Sequence, residues 1–149
     1  MVNPASSSDS PAVAHLPAAL RDELVAWSRA ALPNEACGIL AGPASAFEGG
    51  AATAFHGLRN AAASPFFYQI DPVEQLKVML AIDDADEVVW GIFHSHVASA
   101  PRPSATDVRL AAYPDALYLL CSLRDPEAPE VRAWTILEGT ITEVSLELT

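Results

Sequence analysis

The chain has 149 residues, 51% of them hydrophobic, and 8 Lys plus Arg against 19 Asp plus Glu give it a formal charge of −11. That length holds one core and is too short for two, and the apolar share excludes a disordered chain. So acidic a chain repels a phosphate backbone, no apolar run nears the ~20 residues of a membrane span, and the first residues lack the charged start and apolar core of a signal peptide. Nucleic acid and membrane are therefore not expected partners, and a cytoplasmic location is expected.

Residues 1–14, rich in Ser, Ala and Pro, read as a disordered tail, and 15–149 as the folded domain; His15 at the junction has no evident role. Residues 16–31 form an amphipathic helix with Leu20, Leu24, Val25 and Trp27 among charges, stopped by Pro33. A buried strand over 36–41, closed by Gly42-Pro43, is followed by a turn at 48–50 and a second strand over 51–58. A loop over 59–65 and a short strand over 66–70 come next. Asp71-Pro72 then opens a helix whose stripe is Val73, Leu76, Met79 and Leu80. The acidic run 83–87 reads as a solvated loop and not as a metal site. Residues 88–93 are apolar and rich in β-branched and aromatic side chains, as a buried strand requires. After a loop and a short helix, strands follow over 116–123, 131–137 and 140–148. The expected fold is α+β, a three-layer α/β/α arrangement with a mixed, mostly antiparallel sheet flanked by helices. Cys37 and Cys121 fall in apolar strand segments and read as reduced core residues of a cytosolic protein.

The chemistry concentrates between residues 94 and 107. His94 and His96 extend the strand over 88–93, and at i and i+2 their imidazoles share a face. Residues 97–103 hold two prolines and read as a loop. Ser104 and Asp107, at i and i+3 of the helix that follows, can both look back toward the histidines. Imidazole nitrogen and carboxylate oxygen suit a borderline cation, so His94, His96 and Asp107 are the candidate metal ligands. Three protein ligands leave a fourth position for a reactive water. Iron and cobalt fit the donor set on geometry, and availability favours zinc, one ion per chain. Ser-x-x-Asp before an apolar stretch is also a helix cap, and Ser104 can do both jobs. Ser95 points to the opposite face and is expected to support the loop by hydrogen bonding. His56 is isolated and reads as a surface or packing residue.

His-Ser-His, seven residues, then Ser-x-x-Asp resembles the signature of the JAMM/MPN+ (JAB domain) zinc metalloproteases, a family with a cytidine-deaminase-like fold. The resemblance covers about residue 16 to the end. It implies a catalytic glutamate at the start of an upstream strand, and the segment Asn34-Glu35-Ala36-Cys37-Gly38-Ile39-Leu40-Ala41-Gly42 gives that place to Glu35. By the same resemblance, Glu35 accepts a proton from the activated water and returns it to the leaving amine. Ser104 donates to the developing oxyanion, a contribution of ~3 kcal/mol. Val97 stands where many members have proline. A compact bacterial subgroup lacks that proline too, and its members release cysteine or other adducts from the C-terminus of ubiquitin-like sulfur carriers.

The implied function is hydrolysis of the amide after a C-terminal Gly-Gly tail, with a ubiquitin-like or sulfur-carrier protein as partner and a homodimer as an open alternative to a monomer. Residues 60–68, with Phe66, Phe67 and Tyr68, are a candidate wall of the tail groove, although core packing is the stronger expectation for the three aromatics. A non-catalytic scaffold of the same fold is the rival reading, and the intact Glu35, His94, His96 and Asp107 argue against it. A nucleoside deaminase needs His-x-Glu and Pro-Cys-x-x-Cys, and the chain has neither.

Overall fold

Ala14 and Leu16 bury their side chains, and this begins the fold. The computed structural model describes residues 10–149. In it Val13–Leu16 forms β1, paired parallel with Thr140–Leu148, the last strand, β7. Order thus begins before the boundary read at residues 14 and 15. Pairing to β7 supplies a ladder that the local composition does not reveal. Residues 1–9 of the expected tail lie outside the described residues. His15 comes within 3.7 Å of Glu147 on β7.

Pro17 precedes helix α1, Ala18–Ala31, which therefore starts two residues later than expected. Proline has no N–H, and the first turn of a helix needs none. Leu20, Leu24 and Val25 face inward as expected. Trp27 lies at the surface, its Nε1 donating to the Cys37 carbonyl at 2.9 Å. Ser28 is buried in its stead, its hydroxyl satisfied by the Leu24 carbonyl at 2.7 Å.

The remaining elements are β2 (Cys37–Gly42), a 3-10 turn at Ala46–Glu48, β3 (Ala54–Leu58), α2 (Pro72–Asp84), β4 (Val88–His96), α3 (Ala105–Leu110), β5 (Leu117–Ser122) and β6 (Glu130–Leu137). They form one sheet of seven strands in the order β1-β7-β6-β5-β4-β2-β3. The β1·β7 and β4·β5 pairs are parallel and the rest antiparallel, so the sheet is mixed and mostly antiparallel, as expected. On one face α1 packs through Leu20 and Leu24 against Phe93, Leu117 and Leu119. On the other, Val78, Met79 and Ile82 of α2 and Val108 of α3 cover Ile39, Ile92 and Tyr118. The three-layer reading holds. Both cysteines are free and buried. Among the described residues no helix is long and apolar enough to cross a membrane.

Two details place the site. The β2·β4 ladder slips between Leu40 and Ala41, so Trp90 joins the α1-side core while Ile92 joins the α2 side. His94 and His96 continue the alternation from Ile92 and emerge on the α2/α3 face at the strand's end. The strand expected over 66–70 does not form, and a single bridge, Asn60 to Ile70, stands there. Asn60 replaces the ladder: its Nδ2 donates to the Glu35 and Phe67 carbonyls at 3.0 and 3.1 Å, and its Oδ1 accepts from the Ala62 and Gln69 amides, both at 3.0 Å.

Candidate metal centre

β4 delivers two imidazoles and α3 delivers one carboxylate. The helix begins with a full capping box: Ser104 Oγ accepts from the Asp107 amide at 3.1 Å, and Asp107 Oδ2 accepts from the Ser104 amide at 2.8 Å. The box aims Oδ2 at the strand end. There His94 Nε2, His96 Nε2 and Asp107 Oδ2 stand 3.2, 3.1 and 3.2 Å apart. Ligand atoms at the corners of a tetrahedron with bonds of about 2.0–2.1 Å lie roughly 3.3–3.4 Å apart, so the triangle fits a cation of zinc's size. Two ring nitrogens this close repel through their lone pairs unless a proton or cation lies between. All three residues are buried, at 0%, 4% and 8% exposure. They form the one metal-capable His/Cys/Asp/Glu cluster found among the described residues.

Electrostatics prepares two of the three donors. Burial holds the His94 imidazole below its ordinary pKa, in the neutral form a metal needs. Burial pushes Asp107 upward, but hydrogen bonds from both histidines and the Ser104 amide win and keep it ionised far below the usual range. Burial also lowers His96. Its hydrogen bonds to Asp107 and to the Ala100 carbonyl outweigh that and raise it overall, so a metal displaces a proton there. His96 Nδ1 donates to the Ala100 carbonyl at 2.7 Å, which fixes the ring and leaves Nε2 facing the centre. His94 Nδ1 is buried without a partner, and the ring lies stacked on Tyr68, centroids 4.4 Å apart and planes 21° apart.

Glu35 sits just before β2 and shares a cleft with His96, Ser104, Ser99 and Phe66. Its backbone is held from both sides. Glu35 N donates to the Ser64 carbonyl at 2.9 Å, and the next amide, Ala36 N, donates to Ser95 Oγ at 2.7 Å. Ser95 thus hydrogen-bonds as expected, but the backbone it supports is the one beside Glu35 and not the loop over 97–103. Glu35 is 4% exposed and its Oε1 is buried with no partner, a free acceptor in the cleft. Burial pushes its carboxyl up to about 8, eased by His96 and reinforced by Asp107. Such a group takes and gives a proton near neutrality.

A second cleft is lined by Asp107 with Tyr68, Phe67, Gln75 and Leu110. Phe66 and Phe67 are 85% and 45% exposed, so the core expectation fails for both. The turn around Asn60 carries them outward as walls, and Tyr68 alone turns in. His56 stays on β3, away from the cluster, as expected. Three features escaped the sequence reading: the Asn60 hub, the Tyr68 stack and the Ala100 carbonyl. Only the first carried a local signal, an Asn able to bond an amide two residues on.

Residues 17–137 match the family described as prokaryotic homologs of the JAB domain. The chain belongs to that family. This JAB-domain chain is 49% identical over 125 residues to the CysO-cysteine peptidase of Mycobacterium tuberculosis, which covers 83% of each chain. It is 39% identical over 112 residues to the desampylase of Haloferax volcanii, covering 72% of this chain and 78% of that one. Among solved structures, a Desulfitobacterium hafniense protein superposes with a TM-score of 0.81 at 34% identity over 92% of both chains. A JAB1/MPN domain protein of Archaeoglobus fulgidus shares the fold, with a TM-score of 0.54 at 17% identity over 89% of this chain and 97% of that one. The expected compact JAMM-like membership is borne out, and this JAB-domain chain is a hydrolase.

Proposed function

We propose that this chain is a zinc-dependent JAMM-type peptidase that hydrolyses the amide after the C-terminal Gly-Gly tail of a ubiquitin-like or sulfur-carrier protein. The carrying observation is the 3.1–3.2 Å triangle of two imidazole nitrogens and a carboxylate oxygen, with buried Glu35 in the adjoining cleft. Peptidase and desampylase activities named for relatives at 49% and 39% identity support the substrate class.

His94, His96 and Asp107 hold the ion. When bound, zinc supplies a Lewis acid and a water acidified to a pKa of ~7. Glu35 takes the proton of the attacking water on its unpartnered Oε1, then hands it to the leaving amine. Ser104 accepts the Asp107 amide on Oγ, which leaves its O–H free to donate to the oxyanion. The two clefts flanking the donors give the tail and the leaving group separate approaches. The tail enters extended, along the wall made by Phe66, Phe67 and Tyr68.

The test incubates zinc-loaded protein with a sulfur carrier bearing a C-terminal amino-acid adduct and follows the carrier's mass. The expected result is loss of the adduct with an intact Gly-Gly end. No mass change with zinc-loaded protein, across amino-acid and lysine-linked adducts, removes this reading.

A further inference from the structure

The loop over 97–103 has no helix or strand of its own, yet it carries the carbonyl that orients His96. Three successive carbonyls of that loop are each engaged. Ser99 O accepts from Ser122 Oγ at 2.6 Å. Ala100 O takes two donors, His96 Nδ1 at 2.7 Å and the Arg102 amide at 2.8 Å. Pro101 O accepts from Trp134 Nε1 at 2.9 Å. Ser122 ends β5 and Trp134 lies within β6, both buried. The Arg102 guanidinium lies over the Trp134 ring, 5.4 Å from its centroid, and clamps the loop from outside.

The anchors flank Ala100 directly. The Pro101 ring locks φ on one side of the Ala100 peptide, so its carbonyl cannot flip alone and turns only with the peptide planes beside it, both of which are tied to the sheet by buried side chains. Freed from one tie, the Ala100 carbonyl swings, the hydrogen bond to Nδ1 bends, and the His96 ring loses its fixed angle. Outer hydrogen bonds of this kind set both the tautomer and the ring orientation of a ligating histidine.

We propose that Trp134 and Ser122 are positioning residues for the metal centre, acting through the backbone of 99–101 on the imidazole of His96. Both side chains hydrogen-bond the loop rather than the donor atoms, although Ser122 pairs with His96 across the β4·β5 ladder, and each is placed by a strand the metal motif does not contain. The proposal rests on His96 being a ligand.

The molecule supplies its own control. Trp90 Nε1 donates to the Gly50 carbonyl at 2.7 Å, the same indole-to-carbonyl bond in a different place, and Trp90 lies in the core on the α1 face. Trp134→Phe, Ser122→Ala and Trp90→Phe are compared with the parent by competing zinc against a chromogenic chelator and by the visible spectrum of the cobalt-substituted protein. Expected are zinc dissociation constants raised roughly 10- to 100-fold in Trp134→Phe and Ser122→Ala, with an altered cobalt spectrum, and parent values in Trp90→Phe. Both constants and spectra unchanged in Trp134→Phe and Ser122→Ala overturn the brace. An equal rise in Trp90→Phe overturns it too, since that reports general loosening. Failure of the parent to bind either metal defeats the metal-centre reading, and the brace with it.

Discussion

The two sides of the site are built on different plans. The donor side runs from His94 to Asp107, one strand end, one loop and one capped turn, and its key contacts span at most 13 residues. The base side gathers Glu35, Asn60, Ser64 and Ser95 by hydrogen bonds between distant segments, such as Ala36 to Ser95 across 59 residues. The donor side fixes charge and geometry through its own side chains. The base side fixes one carboxylate by pinning backbone on either side of it. Metal affinity is thus expected to answer to the first group of residues and to the Ser122 and Trp134 ties that hold its loop, and turnover to the second.

The largest effect belongs to the donor side. His96→Ala removes one corner of the triangle and leaves Asp107 with one imidazole. Bound zinc falls far below one per chain and peptidase activity drops to background, read by metal analysis and adduct release. Zinc content equal to the parent's removes His96 from the ligand set. Next comes Glu35→Gln, isosteric and outside the donor set. Zinc stoichiometry stays at the parent value, while kcat falls roughly 10²- to 10⁴-fold, the range for a lost general base. A parallel loss of zinc in this variant collapses the distinction between the two sides. Ser104→Ala touches both: kcat drops about 10²-fold through the lost donor, and stability drops about 1 kcal/mol through the lost cap.

Legibility in the sequence follows the same division. Alternation at 94 and 96, helical spacing at 104 and 107, and Ser-x-x-Asp capping are local rules, and the structure brings all four residues together. Strand patterns gave the sheet class because β2, β4 and β5 bury nearly every residue. Glu35 is legible only through family resemblance, since no local rule ties it to a metal about sixty residues on. Residues 66–70 look like a strand by composition, but one asparagine side chain takes the Phe67 carbonyl and the Gln69 amide that a ladder would have used. Val13 and Ala14 look like tail because their partner strand lies at the far end of the chain.

Asn60→Ala probes the base side without touching a titrating group. Four hydrogen bonds vanish, two of which tie Glu35 and Phe67 to one amide nitrogen. At ~0.5–1.5 kcal/mol per bond, discounted for partial exposure, denaturant unfolding is expected to show about 2 kcal/mol of lost stability. Zinc affinity holds while kcat falls, because the carboxylate drifts and the triangle does not. A variant with parental kcat shows that β2 alone places Glu35.

The last effect is read in protein stripped of metal. Glu35 titrates at about 8 in the fold, against 4.5 as its ordinary value. Between those values the folded chain keeps a proton the unfolded chain has released. Folding is therefore favoured at the acid end of the window and weakened as pH climbs. The loss is complete once pH passes the folded value. Glu35→Gln carries no proton to release, so its metal-free stability should fall less from pH 5 to pH 8 than the parent's, as followed by urea midpoints. Parallel curves for the two proteins place the carboxylate in solvent rather than in the closed cleft. Zinc in the donor triangle adds a positive charge beside Glu35 and favours its ionised form, so the gap between the curves should narrow on metal addition.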